Sequence, residues 1–103
     1  MEILKVSSKS NPNSVAGAIT NILKRDNIVE LQSIGAGALN QLVKSIIVSR
    51  GFIIPSGKDL NIVPSFNEVN VNNLTRTAIK FTISLIWQRK SEENIWLSSL
   101  FVL

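Results

Sequence analysis

Two short turns carry the residues of this sequence that can meet a ligand. The first is Lys9-Ser10-Asn11-Pro12-Asn13, polar and basic. The second is Gly35-Ala36-Gly37, which runs on into Ala38-Leu39-Asn40-Gln41 and reaches Lys44 a turn later. Each stands where a run of strand-forming residues gives way to a helical pattern. A glycine-spaced turn lets backbone approach a partner closely, and the helix behind it presents free N–H groups there. Lys9 and Lys44 add positive charge. The amides of Asn40 and Gln41 can meet a phosphate oxygen or a base edge. Together these residue types offer polyanion binding.

Catalysis has little to draw on. The sequence has no His and no Cys, which removes the commonest general base, nucleophile and zinc ligands. The acids are isolated from one another outside the last residues. Gly35-Ala36-Gly37 is not followed by the Gly-Lys-Ser/Thr of a phosphate-binding loop, and it is not a full dinucleotide fingerprint. The expectation is a protein that is not an enzyme, with no catalytic residue, no metal, no cofactor and no identified small-molecule substrate.

Composition agrees with a small binding domain. A chain of 103 residues holds one domain with a modest core. Charged residues make up 17%, below the average of about 25%. The formal charge is +4, but residues 1–90 contain all eleven Lys and Arg and only Glu2, Asp26, Glu30, Asp59 and Glu68 among the acids, an excess of six. That excess favours polyanionic partners without saying anything about fold. The lack of cysteine fits the cytoplasm. No secretory leader is visible, and no apolar run reaches the roughly 18 residues of a membrane span. A cytoplasmic location is expected.

The elements that hold the two turns follow from hydrophobic period. Glu2–Ser7 reads as a strand with Leu4 and Val6 on one side. Asn11 caps the next helix and Pro12 takes its first position. Val15, Ala18, Ile19, Ile22 and Leu23 form its apolar stripe, and Arg25-Asp26-Asn27 ends it. Ile28–Ile34 is a second strand in which Val29 and Leu31 alternate with Glu30 and Gln32, so one sheet face is expected to be solvated. The second helix has the stripe Leu39, Leu42, Val43, Ile46 and Ile47, with Gly51 as its stop. Leu60–Pro64 and Thr77–Ile86 read as hairpin arms, joined by an asparagine-rich segment, Asn67–Asn73, with a mobile tip. In the last arm Ile79, Phe81, Ile83 and Leu85 point inward, and Lys80, Thr82 and Ser84 outward. The order is βαβαββ, an α+β two-layer sandwich with two helices on one face of a four-stranded mixed sheet. Beyond residue 86 the pattern changes. Residues 87–103 form an apolar tail in which Ser91-Glu92-Glu93 can cap a helix over Asn94–Leu103, docked either on its own sheet or on another subunit.

Long runs within these elements resemble one family. Lys5-Val6-Ser7-Ser8-Lys9-Ser10-Asn11-Pro12-Asn13-Ser14-Val15-Ala16-Gly17-Ala18 is similar to the opening of the bacterial stage V sporulation protein S family. Gly35-Ala36-Gly37-Ala38-Leu39-Asn40-Gln41, Arg50-Gly51-Phe52, Pro55-Ser56-Gly57, Asp59-Leu60 and Arg76-Thr77-Ala78-Ile79-Lys80 continue the resemblance over about residues 1–82. Residues 83–103 depart from it. The resemblance implies an Alba-like fold and a role in spore development, with nucleic acid, DNA or RNA, as partner and a homodimer or higher homo-oligomer as assembly.

It also sharpens the site. Lys9 matches the basic loop that Alba-like proteins set against the nucleic-acid backbone; by itself it is an exposed loop lysine. Gly35 and Gly37 stand where Alba proteins usually carry arginines, so contact there falls to backbone N–H groups, or the turn serves only close packing. The candidate nucleic-acid-binding set is Lys9, Asn11, Gly35, Gly37, Asn40, Gln41, Lys44, Arg76 and Lys80. Arg76 and Lys80 share the outer face of the last strand, as a basic stripe or as a solubilising edge. Arg50 reads as a complement to the helix dipole, and Phe52 as core or dimer contact. No exposed aromatic set for RNA stacking is visible. Two functions remain: a nucleic-acid binder of weak sequence specificity acting in sporulation, or a protein–protein scaffold or regulator that kept the fold without that binding.

Overall fold

Asn11 sets the first helix. Its side-chain oxygen accepts from the N–H groups of Asn13 at 2.9 Å and Ser14 at 3.4 Å, and Pro12 follows as the first helical residue. In the computed structural model, which describes residues 1–88, the elements are β1 (Ile3–Val6), α1 (Pro12–Asp26), β2 (Ile28–Ser33), α2 (Ala36–Ile53), a 3₁₀ turn (Ile54–Ser56), β3 (Lys58–Val71) and β4 (Leu74–Trp87). This is the βαβαββ order read from the sequence. The expected tail helix, Asn94–Leu103, lies outside the described residues.

The sheet order is β1-β2-β4-β3. β1 and β2 are parallel, with Val6 opposite Ser33; the other pairs are antiparallel. Inward residues of the strands (Val6, Val29, Leu31, Leu60 and Ile83) meet Ile19, Ile22 and Leu23 of α1 and Leu42, Ile46 and Ile53 of α2 in one core. The two helices approach through small side chains. Thr20 donates to the Ala16 carbonyl at 2.8 Å and lies 2.9 Å from the Ser49 hydroxyl, while Ser45 donates to the Gln41 carbonyl at 2.7 Å. Ser45 and Ser49 are fully buried. The Ser45 hydroxyl bonds within its own helix and the Ser49 hydroxyl bonds across to Thr20, which lets polar residues occupy a close helix–helix contact.

The structure departs from the sequence reading in four places. The α2 stripe is rotated: Ala38, Leu42, Ser45, Ile46 and Ser49 are buried, while Val43 is 40% and Ile47 64% exposed. Packing against α1 selects the small-residue face, which hydrophobic period alone passes over. Gly51 does not stop α2. The helix runs to Ile53, and the chain turns at Gly57, which holds φ +83° and donates its N–H to the Ile54 carbonyl. The hairpin arms are longer than expected. Asn67–Val71 belongs to β3, and Asn72 and Asn73, at φ +52° and +65°, make a two-residue turn of the kind that matches strand twist. Pro64 is accommodated because β3 is an edge strand. Finally, the outer sheet face is not simply solvated. Asn67 donates to Gln32 at 3.0 Å, and Lys80 lies 3.8 Å from Glu30.

Candidate nucleic-acid interface

β1 and β2 are parallel and in register, so their C-terminal ends deliver both strand-to-helix turns to the same end of the sheet. The turns touch. A Cβ on Gly37 would stand 3.1 Å from the Ser8 Cβ, so a side chain there would press on the first turn. Gln41 reaches back from α2 and donates to the Ser10 carbonyl at 2.9 Å. Inside the first turn, Ser10 Oγ accepts from the Ser7 N–H at 2.9 Å, and the Lys9 N–H donates to Ser7 Oγ at 3.2 Å. The backbone beneath the exposed Lys9 side chain is therefore fixed.

The two helix starts differ. Asn11 satisfies donors of α1. Gly35, at φ +90°, is the N-cap of α2 and offers no side-chain cap. The Leu39 N–H is bonded to the Gly35 carbonyl at 3.1 Å. The N–H groups of Ala36, Gly37 and Ala38 precede it and have no intrahelical acceptor. They point out of the positive end of an eighteen-residue helix.

The hairpin projects from this same end. Ser33 ends β2 opposite Ile79, and β3 and β4 continue past it as five further pairs, Ala78–Asn67 to Leu74–Val71, a reach of about 17 Å. Arg76 sits on that arm, exposed and opposite Val69.

Charge is sorted along the molecule. At the far end, Arg25 is paired with Glu2 and Asp26, and Arg50 with Asp59 through bonds of 2.8 and 3.0 Å. Hydrogen bonds from Arg25 hold the Asp26 carboxyl below its ordinary range. The Arg50 guanidinium does the same to Asp59, helped by the Leu60 N–H. Among the described residues, Lys5, Lys9, Lys24, Lys44, Lys58 and Arg76 have no carboxylate partner; Lys24, in the last turn of α1, and Lys58, whose ammonium lies 5.1 Å from the Trp87 ring centre, are at the far end. Lys5, Lys9 and Arg76 lie on the strand, turn and arm of the near end, and Lys44 lies midway along α2.

The predicted residues thus separate by role. Lys9, Gly35, Gly37, Asn40 and Arg76 belong to the near end and Lys44 to the middle of α2, with Asn40, Lys44 and Arg76 exposed. Asn11 and Gln41 are there too, but their side chains already make hydrogen bonds that build the turns. Lys80 is turned toward Glu30 and is 28% exposed, which leaves it a cross-strand partner rather than half of a free basic stripe with Arg76. Sequence reading passed over Lys5 and Ser33. Lys5 is an outward residue just before the first turn. Ser33 interrupts the inward series Val29, Leu31, and that break in alternation is its signal.

A four-stranded mixed sheet under two helices, with a projecting hairpin beside two strand-to-helix turns, is an Alba-like fold. The structure of Alba from Thermoplasma volcanium is similar at a TM-score of 0.56 and 16% identity, over 80% of this chain and 98% of that one. The family described as Stage V sporulation protein S (SpoVS) matches residues 2–86, and the chain belongs to that family. No helix among the described residues is long and apolar enough to cross a membrane.

Proposed function

We propose that this protein binds the nucleic-acid backbone with weak sequence specificity, without catalysis, in the spore development to which its family is tied. The observation that carries the reading is that Lys5, Lys9 and Arg76, none paired with a carboxylate among the described residues, share one end with the open start of α2 and the arm, while at the other end Glu2, Asp26 and Asp59 pair with arginines and leave Lys24 and Lys58 as the unpaired cations. Lys9, Lys44, Arg76 and Lys5 neutralise phosphates, and the glycine turn adds N–H donors. Asn13 beside Lys9, Asn40 in α2 and Asn70, Asn72 and Asn73 on the arm are exposed amides near them. Most of these contacts fall on the backbone, which positions more than it specifies.

The reading includes a homodimer. Leu39, Val43 and Ile47 make an i, i+4, i+8 stripe along α2. At its first residue, Leu39, it meets an apolar groove of about 570 Å³ lined also by Pro64, Phe66, Ile79 and Phe81. Phe66 is 80% exposed. A second copy facing this surface covers residues that one subunit leaves in water, and pairing doubles the number of cationic ends.

The scaffold reading draws on one feature. The arm carries Arg76 as its one cation and Glu68 as an acid, beside the exposed Leu74 and Val71, so its charge balances. Fluorescence anisotropy with duplex DNA, single-stranded DNA and RNA across a salt series decides between the two. Steeply salt-dependent binding, shared among random sequences, supports nucleic-acid binding. No binding to any of the three at low salt leaves the scaffold.

A further inference from the structure

Ser33 is 3% exposed, and its hydroxyl meets no hydrogen-bond partner. The other buried hydroxyls, those of Thr20, Ser45 and Ser49, are all bonded. Ser33 shares the inward register of Val29 and Leu31 and stands beside Val6 of β1, a place where an apolar residue would satisfy the core. An unpartnered buried hydroxyl is unfavourable to folding and calls for an explanation.

Its surroundings supply one. Ser33 lines an open cleft of about 310 Å³ between the ends of β1 and β2, together with Lys5, Ser7, Ser8 and Ala38. The wall includes one cation and no carboxylate. Ala38 belongs to the uncapped first turn of α2, where the N–H groups of residues 36–38 have no intrahelical acceptor. The open helix start reaches this cleft at Ala38, the unused Ser33 hydroxyl stands behind its wall, and Lys5, an outward residue of β1, borders it.

We propose that this cleft holds the terminal phosphate of a phosphomonoester. The α2 N–H groups donate to its oxygens, Lys5 balances its charge, and the Ser33 hydroxyl donates to the oxygen seated on the floor. Two sources present such a group: a small phosphorylated metabolite and the 5′-phosphate at a nucleic-acid end. The site goes beyond surface contact with backbone diesters and stands whether or not that contact occurs.

The test is a nuclear magnetic resonance titration of the full chain with inorganic phosphate and with adenosine monophosphate, chloride holding ionic strength constant. Saturable shifts are expected at the amides of Ser33, Ala36, Gly37 and Ala38. Ser33→Ala is expected to weaken phosphate binding about tenfold while melting at or above the parent temperature without phosphate. Lys5→Gln, an exposed change, is expected to weaken binding without altering the fold. Equal shifts in chloride alone, or undiminished phosphate binding by both variants, would overturn the proposal. So would a lowered melting temperature for Ser33→Ala, since the hydroxyl would then be structurally satisfied. Duplexes with 5′-phosphate and 5′-hydroxyl ends separate the sources. A preference for phosphorylated ends assigns the site to nucleic-acid termini; equal duplex affinity with saturable nucleotide binding assigns it to a metabolite.

Discussion

The salt dependence of binding can be worked from the charges. Four cations, Lys5, Lys9 and Arg76 at the near end and Lys44 midway along α2, have no carboxylate partner among the described residues. Each phosphate neutralised contributes about −0.9 to the slope of log K against log salt on duplex DNA, so four give a slope of about −3.6 per subunit. Raising salt fourfold then weakens binding about 150-fold. Lys9→Ala should bring the slope to about −2.7 and weaken binding to all sequences alike. It should change stability by no more than about 0.5 kcal/mol, because the turn is held by Ser7 and Ser10 rather than by the lysine side chain. Lys80→Gln is the control. Lys80 faces Glu30 at 3.8 Å, so its loss should leave the slope unchanged. The assay is fluorescence anisotropy on one random duplex at six or more salt concentrations. A parent slope shallower than about −1, or a larger loss of slope with Lys80→Gln than with Lys9→Ala, would refute the assignment of free and paired cations.

Three further outcomes are expected. Thr20→Val should cost roughly 1–3 kcal/mol in urea unfolding, because it strands the buried Ser49 hydroxyl, whereas Ser49→Ala leaves Thr20 bonded to Ala16 and should cost about 1 kcal/mol or less. The Asp59 carboxyl has a folded pKa below its ordinary value of 3.8, so its contribution is present above that value and is lost as pH falls through the lowered folded pKa. Unfolding midpoints followed from neutral pH into the acid range should accordingly fall less steeply for Asp59→Asn than for the parent; identical acid limbs would remove Arg50–Asp59 from the account. Ile47→Asp, on the exposed side of α2, should convert a dimer to a folded monomer by light scattering with an unchanged circular dichroism spectrum. A parent protein that is already monomeric would contradict the pairing.

Local chemistry made much of the fold legible. The Asn11-Pro12 helix start and the apolar stripe of α1 each depend on residues close in sequence, and the structure shows both; the alternation holds in β2 for Val29 and Leu31 but breaks at the buried Gln32, and β4 buries Ala78 on the face opposite Ile83. The order of elements was legible too, because a parallel pair of strands requires a crossover helix. The second helix was legible only in part. Leu39, Val43 and Ile47 satisfy a helical period as well as the buried residues do, and only the shape of α1 decides which face is covered. The asparagine-rich segment was misread for a related reason. Its propensity is for turns, but pairing with β4 supplies the hydrogen bonds that isolated asparagines lack.

The sequence by itself determined the types of residue offered to a partner: a lysine in one turn, glycines in another, few acids and neither His nor Cys. Those follow from composition and local backbone preference. Tertiary structure alone decided which of them act together. Parallel pairing of β1 and β2 brought residues 7–10 against residues 35–41, and antiparallel pairing sent the arm out beside them. It turned Lys80 to Glu30 and Gln41 to the Ser10 carbonyl, and it left Ser33 without a partner. Charge pairing and hydrogen-bond satisfaction depend on distances of a few ångströms between residues far apart in the chain. Such distances are set by strand register, which no local pattern encodes.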